Sequence, residues 1–530
     1  MRKQEPGINQ ELQNLDKKLA SLIYRRSRMM GRISRSRQSA DKSLIDPELE
    51  KRLWRTWKKE LQGYNPSLVR QIFTLLNSMG YLQAEKTRSE AFSLYPSRRT
   101  VDLELIAPLD REQSLDLVIM AVLGSHRVHL KKLIPNDQLL ELVKLANECG
   151  AALAWQGDEL TGRGLSGKSL DNRSLFIRHS LFNFYLFFCL GLGSPARIKF
   201  SGSAMLKTFS LRSLQKLAPR LGARLSSIEP QSYSLPAKLE ASGEIPHEIN
   251  LEQDIDTDFI HALILAAPAF PGPISIGYPQ NVDGTVRSCS KILSRCGINA
   301  VVDRQAGKIL VHPGSPEDCT EENITMDALL SAFLLALAWL GRGRVRLAGI
   351  WPGESAEAGC IADLLSSAGV HLESGRDYIL AQYKDFSRRD IFDLRNCPRA
   401  ASVILPLILP KGEKPVRILL PPGSDELEIC MDLLSLLGCE YVPEEDGLLL
   451  TDRFKPAEES PVWTSPDPYW TLGYCLLSFK FPGIRLANPE NLSPLWPGFW
   501  KIFTGLSPKK EQERDEQTAK SKRRIRLAGY

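Results

Sequence analysis

A beat of close to 70 residues, kept through most of the chain, limits the possible folds more than any other feature. Six strand-like segments share one shape, an Ile or Val with a second apolar residue two positions on: RVHLKKL, RIKFSG, PISIGYP, RVRLAGI, VRILLPPG and GIRLANP. Their lead residues are Val128, Ile198, Ile274, Val345, Val416 and Ile484, separated by 70, 76, 71, 71 and 68 positions. Five glycines keep the same time: Gly150, Gly222, Gly297, Gly369 and Gly438, at intervals of 72, 75, 72 and 69. Each follows a helical apolar pattern and precedes a strand-like run, the place of a left-handed helix cap. Two landmarks in step predict six α/β units, each too large for a solenoid of small repeats. The turn-rich ISIGYPQNVDG midway predicts two globules of three units, with chain crossings near 106–109 and 277–285. One globule is then 108–280, and the other 100–107 together with 281–506.

The chain before the repeats has a different period. Leu12, Leu15, Leu19, Leu22, Ile23, Met30 and Ile33 recur at three- and four-residue steps, predicting one long helix over 9–37. Its second half is crowded with arginines. A second helix is expected over 46–61, with Asp46 as cap and Pro47 as first residue, and a third from about Asn65. An arm over 1–90 cannot bury the leucine stripe by itself, so a homodimer through the long helix is expected. The stretch after residue 506 is charged and nearly free of apolar residues, which predicts a disordered tail over 507–530.

Composition narrows the class of function. The net charge of +6 is small for 530 residues, and the arm lacks the aromatic interleaving of nucleic-acid binders, so nucleic acid is not expected as a partner. The most apolar run, SLFNFYLFFCLGLG (180–193), is too short to span a bilayer and reads as a buried helix. Met1 to Gln13 is polar, without the apolar segment of a secretory signal, and the expected setting is cytoplasmic. The ten cysteines form no C-x-x-C pair and suit reduced core thiols. His126 and His129 would face opposite sides of a strand. No metal and no cofactor is expected.

One stretch, DIDTDFIHALILAAPAFPG (254–272), puts carboxylates before an apolar helix. Helix N-termini attract anions, and here Asp256 is expected to fill that role itself as a cap.

The six units, with FSGSAMLKTFSLRSLQKLAPRLGARL, FIHALILAAPAF and GIRLANPENLSPLWPGFW, resemble the enolpyruvyl transferases, and EPSP synthases most of all. The arm, in LDKKLASLIYRRSRMMGRISRSR and DPELEKRL, resembles the all-helical chorismate mutases. The resemblances imply an α/β, two-domain enolpyruvyl transferase-like fold of six units behind an all-α helical arm. They also imply the shikimate pathway, with a small anionic metabolite as ligand: chorismate, prephenate, shikimate 3-phosphate or phosphoenolpyruvate.

EPSP synthase chemistry needs cations around two anionic substrates. Matching motifs residue by residue leaves Arg111, Arg178, His179 and Lys207 as binding candidates, with Asp327 near the place of the general base. Elsewhere the signs are wrong. Glu112 and Asp116 stand where a serine and an arginine belong, and Asp256–Thr257–Asp258 where a phosphate-binding S-S-Q belongs. Asp425–Glu426 stands where D-R belongs. The mutase resemblance implies Arg26 and Arg37 as carboxylate-binding cations and Asp46 and Glu50 as the acidic pair. The same arginines also suit the solvated face of a long helix. Three functions follow: a transferase–mutase fusion with altered contacts, a non-catalytic scaffold or regulator binding a pathway ligand, and a binder of anionic polymers.

Overall fold

The computed structural model describes residues 8–39, 47–64, seven positions between 69 and 79, 91–96, and 100–506 except 166–168, 179, 204, 230–231, 318, 323, 385–388, 410–414 and 455–460. Asp46, His179 and the 507–530 tail therefore lie outside the described residues.

All six lead segments are strands or, at Ile484, abut one. They organise six small sheets, four of four strands and two of three. In five of the six, the lead strand runs parallel to an earlier strand: Arg173–Ile177 with Ala196–Gly202, Glu248–Asn250 with Ile274–Gly277, Asp102–Ile106 with Arg344–Ala348, Ile391–Asp393 with Val416–Leu419, and Val462–Trp463 with Arg485–Leu486. A parallel pair needs a crossover, and a helix supplies it. Antiparallel strands then complete the four-stranded sheets. The five beat-keeping glycines all have positive φ, between 70° and 109°, the conformation that stops a helix and turns the chain into the next strand.

Six helices, one ahead of each lead segment, form the cores. Arg111–Leu123, Leu181–Leu190 and Thr257–Ala266 pack together in one lobe, and Ala328–Leu340, Ala401–Ile408 and Pro468–Leu477 in the other. The apolar run at 180–193 is the second of these, with Phe184, Phe187 and Phe188 fully buried. Such helices are apolar all round because sheets or sister helices cover every face. Among the described residues, no helix is long and apolar enough to cross a membrane.

The division between lobes differs from the sequence expectation at one point. The first core runs from Leu109 to Ile324 and includes Val286, Cys289, Ile292 and Leu293. The second takes Leu94 to Ala107 and resumes at Met326. The second crossing is thus at 324–326, not 277–285, because the turn after Gly277 leads into the helix Asp283–Arg295, which packs back on the same lobe. The two crossings run side by side: Leu109 bridges Met326 in antiparallel fashion, Asp110 N–H donates to Thr325 O at 2.9 Å, and Asp327 N–H donates to Pro108 O at 2.8 Å. The expectation of reduced thiols throughout also changes. Cys360, on the helix Ala356–Ser367, is bonded to Cys397 before the next crossover helix, while the other eight cysteines are free.

The arm is helical over Ile8–Ser39 and Pro47–Glu60 and at the described positions of 69–79. Phe73 is its buried centre, with Trp54 and Trp57 against it at 5.4 and 5.8 Å.

Candidate functional site

Each crossing between lobes ends in an aspartate that starts a buried helix. Asp110 caps Arg111–Leu123 by accepting from Gln113 N–H at 2.9 Å, and Asp327 caps Ala328–Leu340 by accepting from Leu330 N–H at 2.8 Å. Both face a cavity of about 480 Å³ between the lobes. Its ionisable lining is Asp110, Glu112, Asp258, Asp327 and Glu357 against Arg111, Arg399 and His261.

The electrostatics follow from that imbalance. Burial pushes the Asp327 carboxyl up to about 6; the neighbouring Asp110 adds to the rise, and the Leu330 N–H and Arg111 oppose it. Asp110 and Glu112 are raised by burial first and by Asp116 as well. Asp258 is raised by burial and then by Asp256. Carboxylates that raise one another resist further negative charge. An anion beside any one of them meets about 1–4 kcal/mol of repulsion at a surface-like dielectric.

The cations are committed to one tyrosine. Arg111 Nη1 donates to Tyr469 Oη at 2.9 Å, and Arg399 lies 5.8 Å from the same ring. Arg111 Nε is buried with no hydrogen-bond partner. Of the other binding candidates, Arg178 is exposed and lines an adjoining cavity of about 590 Å³ that shares Gln138, Phe182 and Asp258 with the first. Its backbone N–H is held by the Glu141 carboxylate. Lys207, on the turn Leu206–Thr208, lines neither cavity.

Asp256 caps its helix as expected, accepting from Asp258 N–H at 3.0 Å, with Tyr185 Oη donating to its other oxygen at 3.2 Å. Arg399, Glu357 and His261 were not singled out by the sequence. His261 Nε2 lies 2.7 Å from Asp116 Oδ1, and Glu112 Oε1 is 3.9 Å from its other ring nitrogen. The available signal was one histidine and one aspartate, each flanked by the apolar residues of its helix beyond a polar first turn. Such residues need partners, and these two are each other's.

In the arm, Arg26 Nη2 donates to Asn77 Oδ1 at 2.6 Å, and Asn77 Nδ2 donates to Glu50 Oε1 at 3.1 Å. The Arg26 guanidinium stands 5.8 Å from the Phe73 ring and 6.0 Å from Trp57. Two of the four arm candidates are thus brought together on a buried asparagine that the sequence did not flag. Arg37 is half-buried farther along the same helix.

Residues 97–502 match the family model of EPSP synthase (3-phosphoshikimate 1-carboxyvinyltransferase). A 3-phosphoshikimate 1-carboxyvinyltransferase 2 of Halalkalibacterium halodurans is 20% identical over 425 residues, covering 78% of this chain and 94% of its own. The 3-phosphoshikimate 1-carboxyvinyltransferase of Vibrio vulnificus is 22% identical over 443 residues, covering 79% and 99%. Among solved structures, an EPSP synthase from Acinetobacter baumannii superposes with a TM-score of 0.62 at 16% identity, covering 79% of this chain and 97% of that one. The enolpyruvyl transferase NikO from Streptomyces tendae superposes with a TM-score of 0.57 at 14% identity, covering 79% and 98%. The six-unit, two-lobed fold is shared, and the chain belongs to the EPSP synthase family.

Proposed function

We propose that this chain acts in the shikimate pathway as a family member whose cleft no longer performs carboxyvinyl transfer and whose helical arm recognises chorismate. The observation that carries the first half is the ionisable lining of the cleft, five carboxylates against two arginines and a histidine that is already paired with Asp116. Phosphoshikimate and phosphoenolpyruvate would bring several negative charges into a space where burial and neighbouring carboxylates already raise the carboxyls of Asp110, Glu112, Asp258 and Asp327. The cleft residues Arg111 and Arg399, joined through Tyr469, suit a ligand with a single anionic group, which makes binding without turnover the reading best supported. In that role the protein is a regulator or scaffold. Calorimetric titration with shikimate 3-phosphate and phosphoenolpyruvate, with phosphate release followed in parallel, tests it. Neither binding heat of the pair nor release is expected, and robust turnover overturns the reading.

The second half rests on the arm. Chorismate rearranges without covalent catalysis, so cations at its carboxylates and an acceptor for its hydroxyl are the main requirements. Arg26 and Arg37 hold the carboxylates in this reading, Glu50 accepts from the hydroxyl, and Asp46 orients a neighbouring cation. The pairing of Arg26 and Glu50 through Asn77 supports it. The arm also works as a homodimer in this reading, supported by Leu15, Leu19 and Leu22, which are 55%, 55% and 61% exposed on one helix.

A further inference from the structure

Three helices of the first lobe converge on one buried point with chemically distinct side chains. Asp116 comes from Arg111–Leu123, His261 from Thr257–Ala266 and Cys289 from Asp283–Arg295. A carboxylate oxygen, a ring nitrogen and the thiol sulfur all lie within 4.8 Å of one another, the one such trio among the described residues. Asp116 and Cys289 are fully buried and His261 is 4% exposed. From these residues we infer a divalent transition-metal site, for zinc or a metal of similar preference, at the floor of the interlobe cleft.

Four observations support the assignment. Oxygen, nitrogen and sulfur together are the donor set of a borderline-soft cation, and three protein ligands leave one coordination position open. Asp116 Oδ2 is buried with no hydrogen-bond partner, an orphan that a hydrogen-bonded structure should not leave. The site also has an outer shell: the Phe182 ring packs edge-on against the imidazole at 5.1 Å, and the Glu112 carboxylate stands 3.9 Å from His261 Nδ1, beyond hydrogen-bond distance but within reach of its charge. Finally, it has an entry path, because His261, Glu112 and Ser288 line the cleft cavity. A thiolate and a carboxylate balance the two positive charges, so the loaded site is neutral in its buried setting. The 2.7 Å contact between His261 and Asp116 opens by about half an ångström to admit an ion with ligand distances of about 2.0–2.3 Å. A Cys–His–Asp nucleophile is the other chemistry such a trio suggests. It fails because Cys289 has no exposed surface for a substrate to reach.

The test uses the full-length protein, stripped with a chelator and titrated with Co²⁺. One equivalent is expected to give visible ligand-field bands of four-coordinate cobalt and a thiolate charge-transfer band, both erased by Zn²⁺. Cys289→Ser should remove the charge-transfer band and weaken binding by more than about tenfold, the scale on which even outer-shell losses act. Should that variant not fold, X-ray absorption of the zinc-loaded wild type decides. A single sulfur at about 2.3 Å with nitrogen or oxygen at about 2.0–2.1 Å supports the site. No binding, bands that persist in Cys289→Ser, or a zinc shell without sulfur overturns it.

Discussion

At the scale of single residues, the cleft aspartates do two jobs at once, and Asp327 lets the conflict between them be measured. Its oxygen caps a helix, which favours the charged form, yet burial holds its carboxyl at about 6. The folded protein therefore binds this proton more tightly than the unfolded chain does. Stability from this group is fully present below about pH 4 and is lost as pH rises through 6. Asn caps a helix about as well as Asp and carries no charge. Asp327→Asn should match the wild type near pH 4 and exceed it above pH 7 by about 1–2 kcal/mol, after allowance for partial exposure. Urea unfolding across that range checks this, and a difference that does not change with pH refutes it. Asp256 gives the opposite case, an exposed cap with two hydrogen bonds. Asp256→Ala should cost about 1 kcal/mol in the same measurement. The cap at Asp256 was legible in the sequence because capping is local. The pairing of His261 with Asp116 was not, because the two lie 145 residues apart and only the tertiary fold brings them together.

Among elements, the long arm helix carries two kinds of arginine. Arg26 is held by Asn77 and two aromatic rings, whereas Arg28, two residues on, is exposed. If the arm recognises chorismate, Arg26→Ala should lower turnover or binding at least tenfold, since a charge-assisted hydrogen bond contributes about 1.5–3 kcal/mol. Arg28→Ala should change it less than about twofold. Equal effects would reduce the arginines to a basic solvated face. Helix periods, caps and glycine stops were readable here because they depend on neighbours three or four positions away. Asn77 escaped notice because an asparagine on a helix carries no periodic signal.

For the whole molecule, the exposed leucines predict an oligomer. Sedimentation at micromolar concentration should give a dimer, and Leu19→Glu with Leu22→Glu should give a monomer with the lobes still folded. A wild-type monomer would remove the dimer from the proposal. The two-lobed plan was visible in the 70-residue beat, yet one boundary was misplaced. A turn-rich segment marks a bend in the chain, but only packing decides which core the following helix joins, and Val286, Cys289 and Leu293 join the first.

The side-by-side crossings at 107–109 and 324–326 are, in mechanical terms, an axle. If the lobes swing, points on that axle travel least, and Asp110 and Asp327 are mounted directly on it. Gaping or shutting the cleft then changes the width of its mouth while the spacing of those two carboxylates stays the same. The charge on those two side chains then stays at the base of the cleft however wide its mouth, while the Glu112 and Asp258 of one lobe and the Glu357 and Arg399 of the other move with their lobes.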